Sequence, residues 1–272
     1  MRWMRFEYEG RVVHGRVSAN NQQVELTDLN WADILAGRTA THTLAHIPLA
    51  AVQPLSPVPQ PGKIVCIGLN YLDHCRETGI EPPQKPVVFT KFTSSLTDPG
   101  ADIIWSPEVT NQVDFEGELA VVIGREARRV AAKEALDYVA GYTIGNDVSA
   151  RDVQFGDGQW VRGKSLDTFC PLGPVLVTAV AIPDPQTLAI RTLLNGQVMQ
   201  DSSTAEMIFS VAELIAYCSQ SFTLYPGDVL LTGTPHGVGL GREPRVWMQD
   251  GDEIVVEIEQ IGRLANQCRV VG

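Results

Sequence analysis

The stretch Val113-Asp114-Phe115-Glu116-Gly117-Glu118-Leu119-Ala120-Val121-Val122-Ile123 constrains the fold more than any other part of this chain. Apolar residues fill its second half and Gly124 closes it, so the pattern predicts a β-strand over 113–123. Residues i and i+2 of a strand share a face. Glu116 and Glu118 therefore project together. Neighbouring carboxylates repel, and one of them takes a raised pKa unless a cation sits between them. The simplest such cation is a divalent metal, and all-oxygen ligation favours Mg²⁺, Mn²⁺ or Ca²⁺ over zinc. The competing reading is a polar outer face on an edge strand.

Such a strand needs a core to sit in. The chain has 272 residues, 44% of them hydrophobic, enough for one large domain or for a large and a small one. Its net charge of −11 includes no basic block. That excludes a nucleic-acid backbone as partner, which needs a Lys/Arg footprint, and speaks against an anionic membrane. The start, Met1-Arg2-Trp3-Met4-Arg5-Phe6-Glu7, carries charge too early for a signal sequence. No apolar run approaches membrane-spanning length. Cys66, Cys75, Cys170, Cys218 and Cys268 are odd in number, widely spaced and without C-x-x-C. That usage predicts a reducing, cytoplasmic protein with no disulfide framework or zinc cluster.

Residues 1–58 read as a small leading lobe, and 59–272 as the main domain. In the lobe, runs at 5–9 and 11–17 flank Gly10 as a hairpin, and 29–35 suits one or two helical turns. His14, His42 and His46 match no helical ligand spacing and read as packing or surface residues. Four prolines between Pro54 and Pro61 predict an extended linker with neither helix nor sheet. A strand at 63–68 leads to a short helix between Asn70, as N-cap, and Gly79, as the residue past its end. His74 and Glu77 stand i, i+3 on that helix, close enough to hydrogen-bond. A carboxylate on one ring nitrogen fixes the tautomer and makes the other a better base, although chance polar pairs are common on helices. The run Glu81–Pro86 after it is irregular, and a helix bounded by such a stretch suits a mobile lid. A strand at 87–92 contains Lys91, either solvated or an anion contact.

Helical spacing is predicted at 126–140, then a strand entering the polar turn 146–152, where Asp147 supplies a third carboxylate. Asp152 reads as a cap or turn residue. Residues 158–165 satisfy G-x-x-x-x-G-K-S, but no buried strand precedes them and no long helix can follow. A nucleotide site is rejected there, leaving Lys164 as a fixed positive charge. Further on, Asn195-Gly196 signals a tight hairpin, and 205–219 an amphipathic helix with Ile208, Val211, Leu214, Ile215 and Cys218 inward. The loop 231–239 is glycine-rich, and its N–H groups with Thr234 suit a carboxylate. Glu257 and Glu259 repeat the E-x-E spacing with no polar, glycine-rich segment nearby, so they read as surface.

Taken together, Gly68-Leu69-Asn70-Tyr71-Leu72-Asp73-His74, Asp114 to Leu119, Asn146 to Asp152, Gly163 to Phe169 and Leu231 to Gly239 resemble the fumarylacetoacetate hydrolase family. The likeness is to its small acylpyruvase and oxaloacetate decarboxylase branch, and runs from about residue 60 to the C-terminus. The resemblance implies an α+β, mainly β fold. Its core is a mixed β-roll or β-sandwich, largely antiparallel, with a small N-terminal domain and usually a homodimer. It implies Mg²⁺ or Mn²⁺ on Glu116, Glu118 and Asp147, and a lid bearing His74 and Glu77. It further implies Lys164 as the cation beside substrate oxygens, and Arg151, Gln154 and Thr234 as substrate contacts. The implied activity is C–C bond cleavage in a 2-oxo acid, by acylpyruvate hydrolysis or oxaloacetate decarboxylation. Two alternatives are a keto–enol tautomerase or dienoate isomerase, and a 2-oxo acid binding protein without turnover.

Overall fold

A computed structural model describes residues 1–272. Its main sheet runs, in spatial order, Thr43–Pro48, Gln23–Thr27, Arg11–Val17, Arg2–Tyr8, Cys170–Thr178, Val139–Asn146, Gly117–Ile123, Val229–Leu231, Ile64–Gly68 and Val87–Lys91. Neighbours along this path are antiparallel except Val229–Leu231 against Ile64–Gly68. A second sheet, ordered Gln197–Ser203, Ala189–Leu194, Glu253–Ile258, Gly262–Val270 and Asp102–Trp105, packs against the first. Ile190, Val256 and Leu264 of the second sheet share one core with Leu119, Tyr142 and Val177 of the first.

The strand Gly117–Ile123 is buried along its whole length. Leu119, Val121 and Ile123 face that large core, whereas Ala120 and Val122 face a second one built around Cys66, Leu172 and Leu231. Burial on both faces accounts for its unbroken apolar run. The leading hairpin forms as the sequence predicts, with Tyr8 opposite Arg11 and both Glu9 and Gly10 at positive φ. Its first strand then pairs with Cys170–Thr178, Arg2 opposite Val177, so the leading strands extend the main sheet.

Several expectations are corrected. The 113–123 strand is interrupted: Val113–Asp114 and Gly117–Ile123 are separate, with Phe115 and Glu116 in neither. The proline-rich linker is not free of sheet, because Pro54–Leu55 pairs with the first strand. Proline there sits at a short sheet margin, where a missing N–H is tolerated. The helix expected over 126–140 is only a 3₁₀ segment, Ala132–Tyr138. The helix expected from Ala205 starts at Val211, because Ser210 and Glu213 form a reciprocal capping box. Its buried Val211, Leu214 and Ile215 each contribute roughly 1.5–3 kcal/mol; Ile208 lies before the helix. Asn70 is not an N-cap; buried, it bonds Thr232 O and Phe209 N and O.

Candidate active site

The site lies in a gap in the sheet. Val113–Asp114 pairs with Ser149–Ala150, and pairing resumes at Gly117 opposite Asn146. Between these ladders Phe115, Glu116, Asp147 and Val148 belong to no strand. Asp147 N donates to Glu116 O (2.9 Å), and Asn146 Oδ1 accepts from Glu116 N (3.0 Å). The gap therefore keeps its backbone partnered while turning side chains inward. Glu116, Glu118 and Asp147 are all buried, with one carboxylate oxygen from each within 4.8 Å of the others.

Three cations face these carboxylates. Lys164, on the four-residue helix Val161–Lys164, places Nζ 2.6 Å from Glu116 Oε2 and 2.9 Å from Asp147 Oδ2. Lys91 Nζ lies 2.6 Å from Asp147 Oδ1 and 3.1 Å from Val148 O. Arg151 pairs with Glu116 Oε1 at 2.7 Å and donates to Asp114 Oδ2 (2.9 Å) and Gln154 Oε1 (3.0 Å). Burial pushes the Glu116 carboxyl up, but Lys164 and Arg151 outweigh it and hold it down to about 2. Burial likewise opposes the Lys164 charge, yet Asp147 and Glu116 leave its pKa raised. These two pairs favour the ammonium form of Lys164.

Glu118 is the exception. Its carboxylate accepts from Gly233 N (2.8 Å) and pairs with no Lys or Arg. Burial first, then Asp147 and Glu116, push its pKa well above the usual range. A cluster of hard oxygen donors whose third member lacks a counter-charge fits a divalent cation. Glu116, Glu118 and Asp147 are the residues that would hold it.

Opposite the cluster stands the helix Leu72–Thr78, ended by Gly79 at φ 67°. A left-handed residue there favours glycine. His74 Nδ1 lies 3.2 Å from Glu77 Oε2, as the i, i+3 spacing predicts. Gly237 N donates to Glu77 Oε1 at 2.9 Å. Burial raises the Glu77 carboxyl, but the His74 contact and Gly237 N–H bring it below its ordinary value. Nε2 is left as the working ring nitrogen.

His74, Glu116, Arg151, Gln154, Lys164 and Thr234 line one cavity of about 120 Å³. Its remaining wall is largely apolar, with Ile67, Phe89 and Trp160. Thr234 donates to Gly117 O and accepts from Gln200 Nε2. A larger groove of about 560 Å³ beside Val139 and Val180 contains none of these carboxylates. Asp152 accepts from Thr110 Oγ1 and Asn111 N, a turn role. Glu257 and Glu259 lie outside the site. Sequence reasoning missed Asp114, Gln200 and the position of Lys91. The only signal for Lys91 is a charge in the otherwise apolar run Val87–Phe92.

Comparisons with known proteins agree with this fold. The sequence profile of the fumarylacetoacetate (FAA) hydrolase C-terminal domain matches residues 63–269. The chain is 48% identical over 234 residues to oxaloacetate tautomerase Fahd2a, mitochondrial, of Rattus norvegicus, covering 86% of this chain and 74% of the relative. Among solved structures, the fumarylacetoacetate hydrolase from psychrophilic Exiguobacterium antarcticum superposes over 100% of both chains, with a TM-score of 0.90 and 39% identity. A 2-hydroxyhepta-2,4-diene-1,7-dioate isomerase from Mycobacterium marinum gives a TM-score of 0.86 and 39% identity over 100% of this chain and 99% of that one. The cytoplasmic expectation is corrected by curated relatives from Rattus norvegicus, Bos taurus and Homo sapiens that are named mitochondrial. Free, buried cysteines indicate a reducing interior and do not tell one reducing compartment from another. The mainly β fold, the gap with its carboxylates and the match across most of the chain lead to one conclusion: the chain belongs to the fumarylacetoacetate hydrolase family of enzymes.

Proposed function

We propose that this chain interconverts the keto and enol forms of a small 2-oxo acid of the oxaloacetate kind. The observation that carries the reading is the oriented His74–Glu77 pair, which shares one small cavity with Lys164 and Glu116. At about 120 Å³ the cavity is smaller than the roughly 300–1,000 Å³ of ordinary ligand pockets, which favours a short substrate. The sequence puts bond cleavage first and tautomerisation as an alternative; the tautomerase and isomerase relatives support that alternative.

In the proposed step His74 Nε2 takes a proton from C3 of the keto acid. The C–H electron pair moves into the C2–C3 bond, and the C2 oxygen becomes anionic. Lys164 stabilises that charge without giving up its proton. His74 then returns the proton to the C2 oxygen, completing the enol. Glu77 holds Nδ1 throughout and steadies the transient imidazolium. Arg151, Gln154 and Thr234 orient the substrate's carboxylate and keto oxygens. Glu116, Glu118 and Asp147 would hold Mg²⁺ or Mn²⁺, which when bound would supply Lewis-acid polarisation of the 2-oxo acid. The helix Leu72–Thr78 acts as a lid, and the protein works as a homodimer.

The test follows the decay of enol oxaloacetate by absorbance, with pyruvate assayed in the same sample. Faster enol decay with little pyruvate supports the reading; decay at the uncatalysed rate sinks it. The Exiguobacterium antarcticum protein is named a hydrolase, which favours a second reading, C–C bond cleavage in a 2-oxo acid, by hydrolysis of an acylpyruvate or through the same enolate by decarboxylation of oxaloacetate. Stoichiometric pyruvate from acetylpyruvate or oxaloacetate would establish it.

A further inference from the structure

We infer that the loop 236–242 positions the His74–Glu77 pair, and that Gly241 is a positioning residue because the Glu77 carboxylate fills the space its β-carbon would take. The inference takes from the proposed function what the pair does, but not how the pair is held. Glu77 spans two partners: Oε2 faces His74 Nδ1 at 3.2 Å, and Oε1 accepts from Gly237 N at 2.9 Å. A β-carbon on Gly241 would lie 2.6 Å from Glu77 Cδ and 2.9 Å from each of its oxygens. Carbon contacts are normally about 3.5–4.0 Å.

The loop cannot retreat to make room. Gly239 N and Leu240 N donate to Asp114 at 2.7 and 3.0 Å. Arg242 Nε donates to Gly237 O at 3.2 Å, and Asp73 Oδ1 accepts from His236 N at 3.4 Å. Asp114 is itself buried and bound to Arg151. What can give is the flexible end of Glu77. The two glycines differ in kind. Gly237 has φ +95° and a β-carbon there would meet Met199 O at 2.1 Å, so its backbone demands glycine. Gly241 does not have a left-handed φ, and the nearest obstacle to alanine is the Glu77 carboxylate. A substitution there reaches the catalytic pair without altering any residue that touches substrate.

The test uses the full chain and the variants Gly241→Ala, Glu77→Asp and the two combined. Ring ¹⁵N NMR reads the His74 tautomer, and enol oxaloacetate turnover gives kcat and KM. In Gly241→Ala, His74 shifts from the Nδ1–H form towards a mixture with Nε2–H. Its kcat falls about 10- to 100-fold while KM stays within about twofold. Aspartate is one methylene shorter and leaves room for the added methyl. The double variant is therefore expected to be no worse than the poorer single one. An unchanged His74 tautomer in folded Gly241→Ala, or losses that multiply in the double variant, overturns the inference. If Gly241→Ala does not fold, Arg242→Met carries the test. It frees the Gly237 carbonyl, and an unshifted His74 ring in that folded variant also overturns the inference. A shifted ring in a protein that leaves enol oxaloacetate untouched upholds the positioning role and removes the proposed substrate.

Discussion

Lys91 Nζ lies 2.6 Å from Asp147 Oδ1, and both side chains are fully buried. Buried pairs are held together by mutual need: removing one partner strands a charge, at a cost of about 3–5 kcal/mol. Lys91→Met should therefore lower unfolding free energy by that order, read from denaturant titration. Adding Asp147→Asn should recover part of the loss. A double variant as unstable as the sum of the two singles would show that the pair is not the source.

Glu118 makes the opposite case. It is the buried carboxylate with no cationic side chain. Without metal, Glu118→Gln should be as stable as the native chain or more so, since it removes like-charge repulsion from Asp147 and Glu116. With Mg²⁺ or Mn²⁺ added, the native chain should gain thermal stability with ligand concentration and Glu118→Gln should not. A native melting temperature indifferent to metal and chelator alike would remove the divalent-ion reading.

Turnover divides the remaining roles. Glu116→Ala should abolish it and weaken metal binding, because that carboxylate also anchors Arg151 and Lys164. His74→Asn should slow enol–keto exchange by about 10²- to 10⁴-fold, the usual worth of a positioned general base. If cleavage is the reaction, His74→Ala should harm acylpyruvate hydrolysis more than oxaloacetate decarboxylation, since only hydrolysis needs an activated water. Equal losses on both substrates would show that His74 does not act by activating water.

The leading lobe contains a separate pH dependence. His14 stacks on Trp31 with ring centroids 5.2 Å apart. Burial, then Arg5, hold its imidazole down to about 4, against the opposing Pro57 carbonyl. The unfolded ring titrates near its ordinary value of about 6.5. Between those values the unfolded chain binds more protons than the folded one, so stability rises with pH. His14 thus contributes its full share above about pH 6.5 and loses it as pH falls through about 4, at no more than about 1.4 kcal/mol per unit. His14→Phe keeps an aromatic ring on Trp31 and should flatten this slope in chemical denaturation between pH 4 and 6.5. An unaltered slope would place the titration elsewhere.

Local chemistry was legible where neighbours in sequence are neighbours in space. The hairpin at Gly10, the Asn195-Gly196 turn, the His74–Glu77 pair and the left-handed Gly79 all follow from spacing or backbone preference. Rejecting the G-x-x-x-x-G-K-S match was sound for the same reason: a phosphate loop needs a buried strand before it and a long helix after it. Here a short helix, Arg151–Gly156, precedes a four-residue one. The Ser210–Glu213 capping box is legible in the S-x-x-E spacing too.

By itself the sequence determined several of the strands, their apolar faces, and the close spacing of Glu116 and Glu118. It could not distinguish them from Glu257 and Glu259, which have the same spacing. Tertiary structure decided that. Glu116 and Glu118 sit in a gap between two ladders and meet Asp147, whereas Glu257 sits by Arg263 at the surface and Glu259 is exposed. Lys91 and Asp147 are 56 residues apart, and Lys164 and Glu116 are 48 apart. Strand periodicity carries information over a few residues. Which charges share a buried space depends on how distant strands are placed, and there the cost of an unpaired buried charge selects the partners.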